Sequence, residues 1–272
     1  MLSPRTMSNE ATQVEGLPAI IELPGGESVT VPLPAGQVPA YAVLPALRAL
    51  VNAMMQRVKD ASAERGEAIT CRAGCGACCR QYVPVSDIEA RALAQLLERM
   101  PEDRQARVRA RFAEAEARLR EAGIWDRLAR GGRMLPSEHR PMVEGYFHLG
   151  IPCPFLEDEA CSIHPDRPLI CREYLVVSPS IHCAKLERKQ IRRLAAPQTS
   201  TALHVMDGAH DPENYNVFPL VAVLEWLRRH PQEPELQTAE TWIKVFGAAM
   251  QVRFGDSVEM VSRPLPEASE EW

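Results

Sequence analysis

Apolar residues recur along this chain mostly with helical spacing, but one short stretch near its start has the pattern of strands. Ile20-Ile-Glu-Leu and Ser28-Val-Thr-Val flank the turn sequence Pro24-Gly-Gly-Glu, which predicts a β-hairpin. Further on, apolar residues at intervals of three and four predict a helix that leads towards the first cysteine. The residues of this stripe are Leu44, Leu47, Leu50, Val51, Met54, Met55 and Val58.

Two more apolar stripes predict helices in the middle of the chain. Ser86-x-x-Glu89 has the capping-box pattern of a helix start. The stripe that begins there is Ile88, Ala92, Leu96 and Met100, and the next is Val108, Phe112, Ala115 and Leu119. The outer face of the second stripe carries Glu114–Arg118 and Glu116–Arg120 pairs at i,i+4, which is typical of a solvated helix face.

Two helices are predicted after the last cysteine, and we expect them to pack against each other as a pair. The first begins near Pro219 and carries Leu220, Val223, Leu224 and Leu227. The second follows Pro234 and carries Trp242, Val245, Phe246 and Ala249. The predicted fold is therefore mainly α, with a small N-terminal β-hairpin and an irregular, cysteine-rich centre that a metal nucleates. We expect one domain over residues 18–262, between flexible tails at 1–17 and 263–272.

Composition excludes several classes of protein. The 272 residues include 31 basic and 36 acidic side chains, a net charge of −5 without basic blocks, which disfavours a nucleic-acid partner. No apolar run approaches the roughly 18–20 residues that a membrane-spanning helix needs, so we expect no membrane partner. The first residues lack the apolar core of a secretory signal, and the expected location is therefore cytoplasmic.

The eight cysteines all lie between positions 71 and 183. The first four form Cys71-x3-Cys75-x2-Cys78-Cys79, and the others are Cys153, Cys161, Cys171 and Cys183. Simple core packing is a poor explanation for these cysteines, because their neighbours are glycines and arginines and do not form an apolar face. A disulfide framework is also disfavoured, because it requires an oxidising compartment. Closely spaced cysteines in an intracellular chain favour metal ligation. We therefore predict that all eight cysteines are metal ligands, in a region that spans residues 66–190.

Residues around the cysteines fit that interpretation. Gly74 and Gly76 allow a tight loop, and prolines stiffen the second group of cysteines. Buried thiolates need compensating charge, for which the neighbouring arginines are candidates: Arg72, Arg80, Arg167 and Arg172. His164 and His182 also lie near cysteines, but hydrogen-bonded or surface roles are favoured for both. Glu173 and Tyr174 are expected to be a helix-surface acid and a packing aromatic.

The cysteine pattern resembles that of the YkgJ-type, CxxCxxCC family, which is described as a zinc- or iron-chelating domain. The matching elements are the first cysteine cluster, Cys153-Pro-Phe-Leu, Cys161-Ser-Ile, and Arg167-Pro168-x2-Cys171-Arg172. The stretch from Cys171 to Cys183 resembles that of a subgroup with an eighth cysteine. This chain departs from the family at His164, where tyrosine is common, and in the 73 residues between Cys79 and Cys153. The resemblance implies metal binding by cysteines but supplies no substrate.

Thiolates suit both zinc and iron–sulfur clusters, and the sequence leaves both open, with iron slightly favoured. Eight sulfurs are enough for two zinc sites, or for one 4Fe-4S cluster with four sulfurs to spare. Two functions follow: a protein that holds zinc or iron in a structural or metal-handling role, or a metal- or iron–sulfur-dependent enzyme that performs redox or protein-modifying chemistry. The inserted segment 101–131 would favour the enzyme if it formed a lid over a pocket. We expect both cysteine groups to converge on one centre or on two adjacent ones.

Overall fold

A computed structural model describes residues 16–22, 28–132, 134, 136–207, 217–254 and 262–264. Within these ranges the helices are α1 (Leu44–Glu64), α2 (Asp87–Glu98), α3 (Glu102–Glu121), α4 (Trp125–Arg130), α5 (Pro136–His148), α6 (Leu169–Glu173), α7 (Ser180–Ala184), α8 (Thr199–Met206), α9 (Val223–Arg229) and α10 (Ala239–Phe254). The strands are β1 (Gly16–Glu22), β2 (Ser28–Pro34), β3 (Gln37–Pro39), β4 (Pro84–Val85), β5 (Leu156–Glu157), β6 (Ala160–Cys161), β7 (Phe218–Pro219), β8 (Leu236–Thr238) and β9 (Ser262–Pro264). The predicted fold class, mainly helical with an N-terminal hairpin, is confirmed. No helix in these ranges is both long and apolar enough to cross a membrane.

The N-terminal hairpin is formed by β1 and β2, which pair antiparallel from Gly16 opposite Pro34 to Glu22 opposite Ser28. Its predicted turn falls in residues 23–27, outside the described residues. Strand β9 pairs with the other edge of β1. The predicted tails lie almost wholly outside the described residues, but Gly16 and Leu17 belong to β1, while Arg263 and Pro264 belong to β9.

The helix α1 has the predicted apolar stripe, and Leu47, Leu50 and Val51 on it are fully buried. This stripe packs in a first apolar cluster with the hairpin, α8 and α10. The first cluster therefore joins the segment before the cysteines to the segment after them. The chain between β2 and α8, which carries all eight cysteines, therefore begins and ends at the first cluster.

A second apolar cluster is built from α2, α3, α4 and α9. The stripe predicted on α3 is confirmed, because Val108, Phe112, Ala115 and Leu119 are all buried. The helix α2 connects the two clusters, since Ile88 lies in the first and Leu93 lies in the second.

The predicted pairing of the two C-terminal helices is wrong. The helix α9 packs on α2, whereas α10 packs on α8. Trp226 of α9 stacks on Phe218 with ring centroids 4.1 Å apart, and its indole N–H donates to Asp87. Trp242 of α10 donates instead to the Val38 carbonyl, at 2.8 Å. Each tryptophan is therefore held in a different cluster, because its N–H finds a different acceptor.

The capping box at the start of α2 also carries a tertiary contact. The Ser86 hydroxyl accepts a hydrogen bond from the Glu89 backbone N–H at 3.2 Å, as predicted. The Glu89 carboxylate accepts another from the Leu169 backbone N–H at 2.8 Å. Burial raises the pKa of Glu89 to about 7, against the opposing effect of the Leu169 hydrogen bond and the Arg48 charge. The helix start is thus tied to α6, which carries Cys171.

We predict that Ser86→Ala lowers the free energy of unfolding by about 0.5–2 kcal/mol, the usual cost of removing an N-cap. The Glu89 N–H would lose its acceptor in a fully buried position. Urea unfolding followed by circular dichroism measures this change. Ser137→Ala, on an exposed part of α5, is the control and should leave the unfolding midpoint unchanged. Equal midpoints for wild type and Ser86→Ala would contradict the prediction.

Candidate metal centre

The first cysteine segment follows α1 as an irregular loop that ends in a 3₁₀ turn, Ala77–Arg80, which carries Cys78 and Cys79. Gly74 has a φ of +77°, a backbone conformation that favours glycine. Gly76 has a negative φ but lies against Glu159, whose Oε2 would be 2.5 Å from an added Cβ. The two glycines therefore serve different purposes: one allows the loop to turn and the other allows a close approach.

The second cysteine segment is a series of short elements. Cys153 precedes the β5–β6 hairpin, and Cys161 ends β6. The two turn residues of this hairpin, Asp158 and Glu159, both have positive φ, as a type I′ turn requires. Cys171 lies on α6 and Cys183 on α7. Regular structure in this segment is short, so its order depends on contacts with other parts of the chain.

Hydrogen bonds and one ion pair join the two segments. The Cys153 backbone N–H donates to the Cys79 carbonyl at 2.7 Å. The Thr70 hydroxyl donates to the Ser178 carbonyl at 2.6 Å, and the Thr70 N–H donates to the Val176 carbonyl at 3.0 Å. Arg80 contacts the Glu159 carboxylate through both terminal nitrogens, at 2.5 and 3.0 Å. The loop that contains Cys78 is thus fixed to the Cys153–Cys161 hairpin and to the chain before Cys183.

All eight cysteines carry free thiols in this structure. Burial is the main reason that the pKa of Cys153 is raised to about 12 and that of Cys171 well above its ordinary value. The pKa of Cys78 is raised first by its hydrogen bond with the Cys79 side chain and then by burial. A backbone N–H also contacts a sulfur directly, since Val176 donates to Cys71 Sγ at 3.4 Å.

Cys78 is electrostatically coupled to thiols of both segments. If ionised, it would raise the pKa of Cys71 in the first segment and the pKa of Cys153, Cys161, Cys171 and Cys183 in the second. Among the described residues, no three His, Cys, Asp or Glu side chains are already arranged to hold a metal ion. The sulfurs would therefore have to draw together to reach the roughly 2.3 Å of a zinc–sulfur bond. The donor set nevertheless fits zinc or iron, because every donor is a thiol.

The candidate histidines have other positions. His182 Nδ1 lies 2.5 Å from Glu187 Oε2. His164 is largely exposed, and partial burial, Arg167 and Arg172 all lower its pKa. These positions agree with the non-ligand roles favoured from the sequence.

Glu173 is not the surface acid that we expected, because its side chain is buried. Its carboxylate accepts hydrogen bonds from the Ser200 N–H at 2.7 Å, from the Ser200 hydroxyl at 2.8 Å and from the Thr199 hydroxyl. These contacts fix the helix of Cys171 to the start of α8. The neighbouring Tyr174 is half-buried, and the Arg193 guanidinium lies 4.6 Å from its ring centre.

Three arginines of α3 hold the second cysteine segment and the chain just before it; the sequence analysis did not single out Arg104 or Arg111, and it placed Arg118 on a solvated face. Arg104 donates to the Ser162 carbonyl at 2.8 Å, and Arg118 donates to the Leu149 carbonyl. Arg111 donates to the Glu157 carboxylate at 2.9 Å, next to an edge-to-face contact between Phe112 and Phe155. Their only sequence signal was an arginine-rich helix, which is also typical of a solvated face. In this part of the inserted segment, α3 thus supports the cysteine loops.

The fold and this site define a helical protein with a cysteine-rich centre formed by two loops. Residues 70–195, which contain all eight cysteines, match the family model CxxCxxCC, described as "Putative zinc- or iron-chelating domain". The match spans less than half of the chain and confirms the resemblance noted in the sequence. Neither the curated proteins nor the solved structures gave a significant match.

We predict that Cys153 reacts with iodoacetamide far more slowly in folded, metal-free protein than in unfolded protein. At pH 8 a thiol of pKa about 12 has a thiolate population about two thousandfold smaller than a thiol of the ordinary pKa, about 8.5. Labelling of Cys153 should increase about tenfold for each added pH unit below that pKa. Pulse alkylation with mass spectrometry measures each rate.

Protein unfolded in denaturant is the reference, and there Cys153 should react at the rate of an ordinary thiol. If Cys153 were labelled as fast in the folded protein as in the unfolded one, its raised pKa in the metal-free state would be contradicted.

Proposed function

We propose that this protein holds zinc or iron through thiolates supplied by both cysteine segments, with all eight cysteines as the ligand set. The observation that carries the proposal is the contact between the two segments, in which the Cys153 backbone N–H donates to the Cys79 carbonyl at 2.7 Å. The described zinc- or iron-chelating character of the matched domain supports it. The eight free thiols also suit a reducing compartment, in accord with a cytoplasmic location.

The ligand set has room for two zinc ions or for one 4Fe-4S cluster. We favour iron, because Cys75-x2-Cys78 has the short spacing used in bacterial four-iron motifs. A bound ion or cluster supplies bonds to thiolates, and these provide folding free energy. The chain's own residues prepare the site: Arg80, Thr70 and the Cys153 backbone hold the two loops against each other. Bonds from the metal to thiolates of both loops would add to these contacts.

We favour a metal-holding role over an enzyme, because eight thiols are enough to close two metal sites, whereas a catalytic metal keeps an open position. A cleft of about 330 Å³ is lined by Asp87, Arg91, Asp207 and Trp242, among others. A smaller cleft adjoins it and shares Arg91. No cysteine lines either cleft, and no residue of the predicted lid segment 101–131 lines them either. The function that we propose is therefore structural or metal-handling.

Elemental analysis with visible absorption, on protein purified without oxygen, tests this function. We expect zinc or iron in at least stoichiometric amount, released by acid. A brown colour with acid-labile sulfide would select the iron–sulfur form, and colourless protein with zinc would select the zinc form. Protein with neither metal and with native disulfides would refute the proposal.

We predict that Cys78→Ser reduces metal content and loosens the distant segment 153–183 as well as its own loop. The substitution would remove one of the sulfurs proposed to bind the metal. Since metal binding is expected to order both cysteine segments, the loss should be felt in both. Hydrogen exchange with mass spectrometry measures the loosening, as faster exchange in 153–183.

His182→Ala is the control, because His182 lies beside Cys183 but its ring nitrogen already contacts Glu187. This variant should keep its metal, and any faster exchange should be confined to the chain around α7. Unchanged exchange and unchanged metal content in Cys78→Ser would rule out a shared centre.

A further inference from the structure

The cleft lined by Asp87 and Trp242 lies outside the proposed metal centre, since no cysteine lines it. It is formed where the start of α2, the end of α8 and the first half of α10 meet, and these helices contribute Ile88, Met206 and Thr241 to its lining. Its volume of about 330 Å³ is at the lower end of the range for small-molecule sites, about 300–1,000 Å³. The cleft is therefore large enough for one small ligand.

Much of the lining is apolar, and part of it is open to solvent. Trp242 belongs to this lining, and the hydrogen bond from its indole N–H to the Val38 carbonyl, at 2.8 Å, fixes its ring. Val245 lines the cleft and is 38% exposed, while Leu236, which is 53% exposed, lies between two lining residues in the chain. Only three large apolar side chains are exposed in the described part of the chain, so two of them are at this cleft. Such surface favours a ligand with an apolar body.

The charged residues of the lining are three carboxylates and one guanidinium: Asp87, Asp207, Glu235 and Arg91. The guanidinium is already paired, because Arg91 Nε donates to Asp87 Oδ2 at 2.5 Å. The other oxygen of Asp87 accepts a hydrogen bond from the Trp226 indole N–H at 2.8 Å. The one cation that lines the cleft is thus used by Asp87, whose two oxygens both have donors.

Asp207 has no comparable cation. Its Oδ2 accepts a hydrogen bond from the Asp87 backbone N–H at 2.6 Å, whereas none of the residues that the structure describes donates to its Oδ1. Burial and the negative charge of Asp87 raise the pKa of Asp207, against the opposing effects of the Asp87 N–H and of Arg91. A cation in the cleft would offset the negative charge of Asp207, and its hydrogen bond to the carboxylate would be charge-assisted.

We propose that this cleft binds a small organic cation, in which a protonated amine donates to Asp207 and the attached hydrocarbon packs on the apolar lining around Trp242. A free amine and the lysine side chain of a peptide present this same chemistry, and the test separates the two sources. The inference does not rest on the proposed function, because the cleft and the cysteine centre share no residue.

The first measurement is a ligand-observed NMR titration of phenethylammonium into the full chain at about pH 8. The full chain is used so that residues 208–216, which follow Asp207 outside the described ranges, are present. We expect saturable binding with a dissociation constant of about 1 mM or below, a usual efficiency for so small a ligand. Uncharged phenethyl alcohol and anionic phenylacetate should each bind at least about tenfold more weakly, because neither supplies the cation.

Asp207→Asn removes the charge but keeps an oxygen that can accept from the Asp87 N–H. This variant should bind phenethylammonium about tenfold or more weakly than wild type, the usual effect of losing a hydrogen bond to a charged group. Its weak binding of phenethyl alcohol should be unchanged. Glu240→Gln is the matched control, since Glu240 is an exposed acid of α10 that does not line the cleft. It should stay within about twofold of wild type, as surface substitutions usually do.

Val245→Lys tests the cleft without changing Asp207. The exposed position of Val245 tolerates a long side chain, and a second ammonium beside the cleft should repel the ligand and weaken its binding. Circular dichroism checks that each variant keeps its helices, and Val245→Lys decides the question if Asp207→Asn does not fold. An acetylated, amidated Leu-Lys-Leu peptide separates the sources: if it binds more tightly than phenethylammonium, the ligand is a lysine side chain, and if it binds more weakly, the ligand is a free amine.

Three results would overturn the inference. They are the absence of saturable binding by both amines, equal binding of phenethylammonium and phenethyl alcohol, and wild-type affinity in both cleft variants. Metal content measured on the same preparations reports separately on the proposed function. Wild-type protein that bound the amine without zinc or iron would refute the metal centre alone, and metal-loaded protein that bound neither amine would refute this inference alone.

Discussion

The hydrogen bond from the Cys153 N–H to the Cys79 carbonyl joins two loops that have little regular structure of their own. Each loop is rich in glycine, proline or charge, so neither buries enough apolar surface to offset the entropy of ordering it. The loops are ordered by the parts of the chain around them. Hydrogen bonds at Thr70 and the Arg80–Glu159 pair act at the same junction. Burial of thiols from both loops at this junction is the constraint on which the cysteine centre depends.

The two apolar clusters fix the positions of the helices that flank the two cysteine loops. The first cluster closes the chain by packing α1 against α8 and α10, and the second presents α3 to the loop that contains Cys153. Arg104, Arg111 and Arg118 then bind that loop, mainly through backbone carbonyls. Backbone carbonyls in an irregular loop need donors, and a helix rich in arginine provides them. The helix α3 thus supports the cysteine segment from outside.

Burial disfavours ionisation of the Cys153 thiol, and this links the fold to the proposed chemistry. The raised pKa of Cys153 means that this thiol is protonated at physiological pH in the metal-free protein. Binding a metal ion would convert the centre to a buried, negatively charged one, whose stability depends on cations and N–H donors nearby. The Val176 N–H, which donates to Cys71 Sγ at 3.4 Å, is such a donor. Hydrogen bonds from backbone N–H groups therefore both order the loops and stabilise thiolates in them.

The sequence by itself determined the hairpin of β1 and β2, the helix α1, the capped start of α2 and the buried stripe of α3. Each depends on residues close together in the chain, and their spacing records which face is buried. The eight cysteines could be identified as one candidate set from their spacing alone, and the family match to residues 70–195 agrees with that identification.

Only the tertiary structure decided which groups meet. Trp226 and Trp242 look alike in sequence, yet each donates to a different acceptor, and so α9 and α10 do not form the predicted pair. Glu173 has no sequence feature that predicts its burial against Ser200. Arg72 directly follows Cys71 and is exposed, whereas Arg167 lies four residues before Cys171 and is half-buried, with an enclosed Nε. Periodicity shows that a side chain is buried, whereas its partner depends on contacts between residues far apart in the chain.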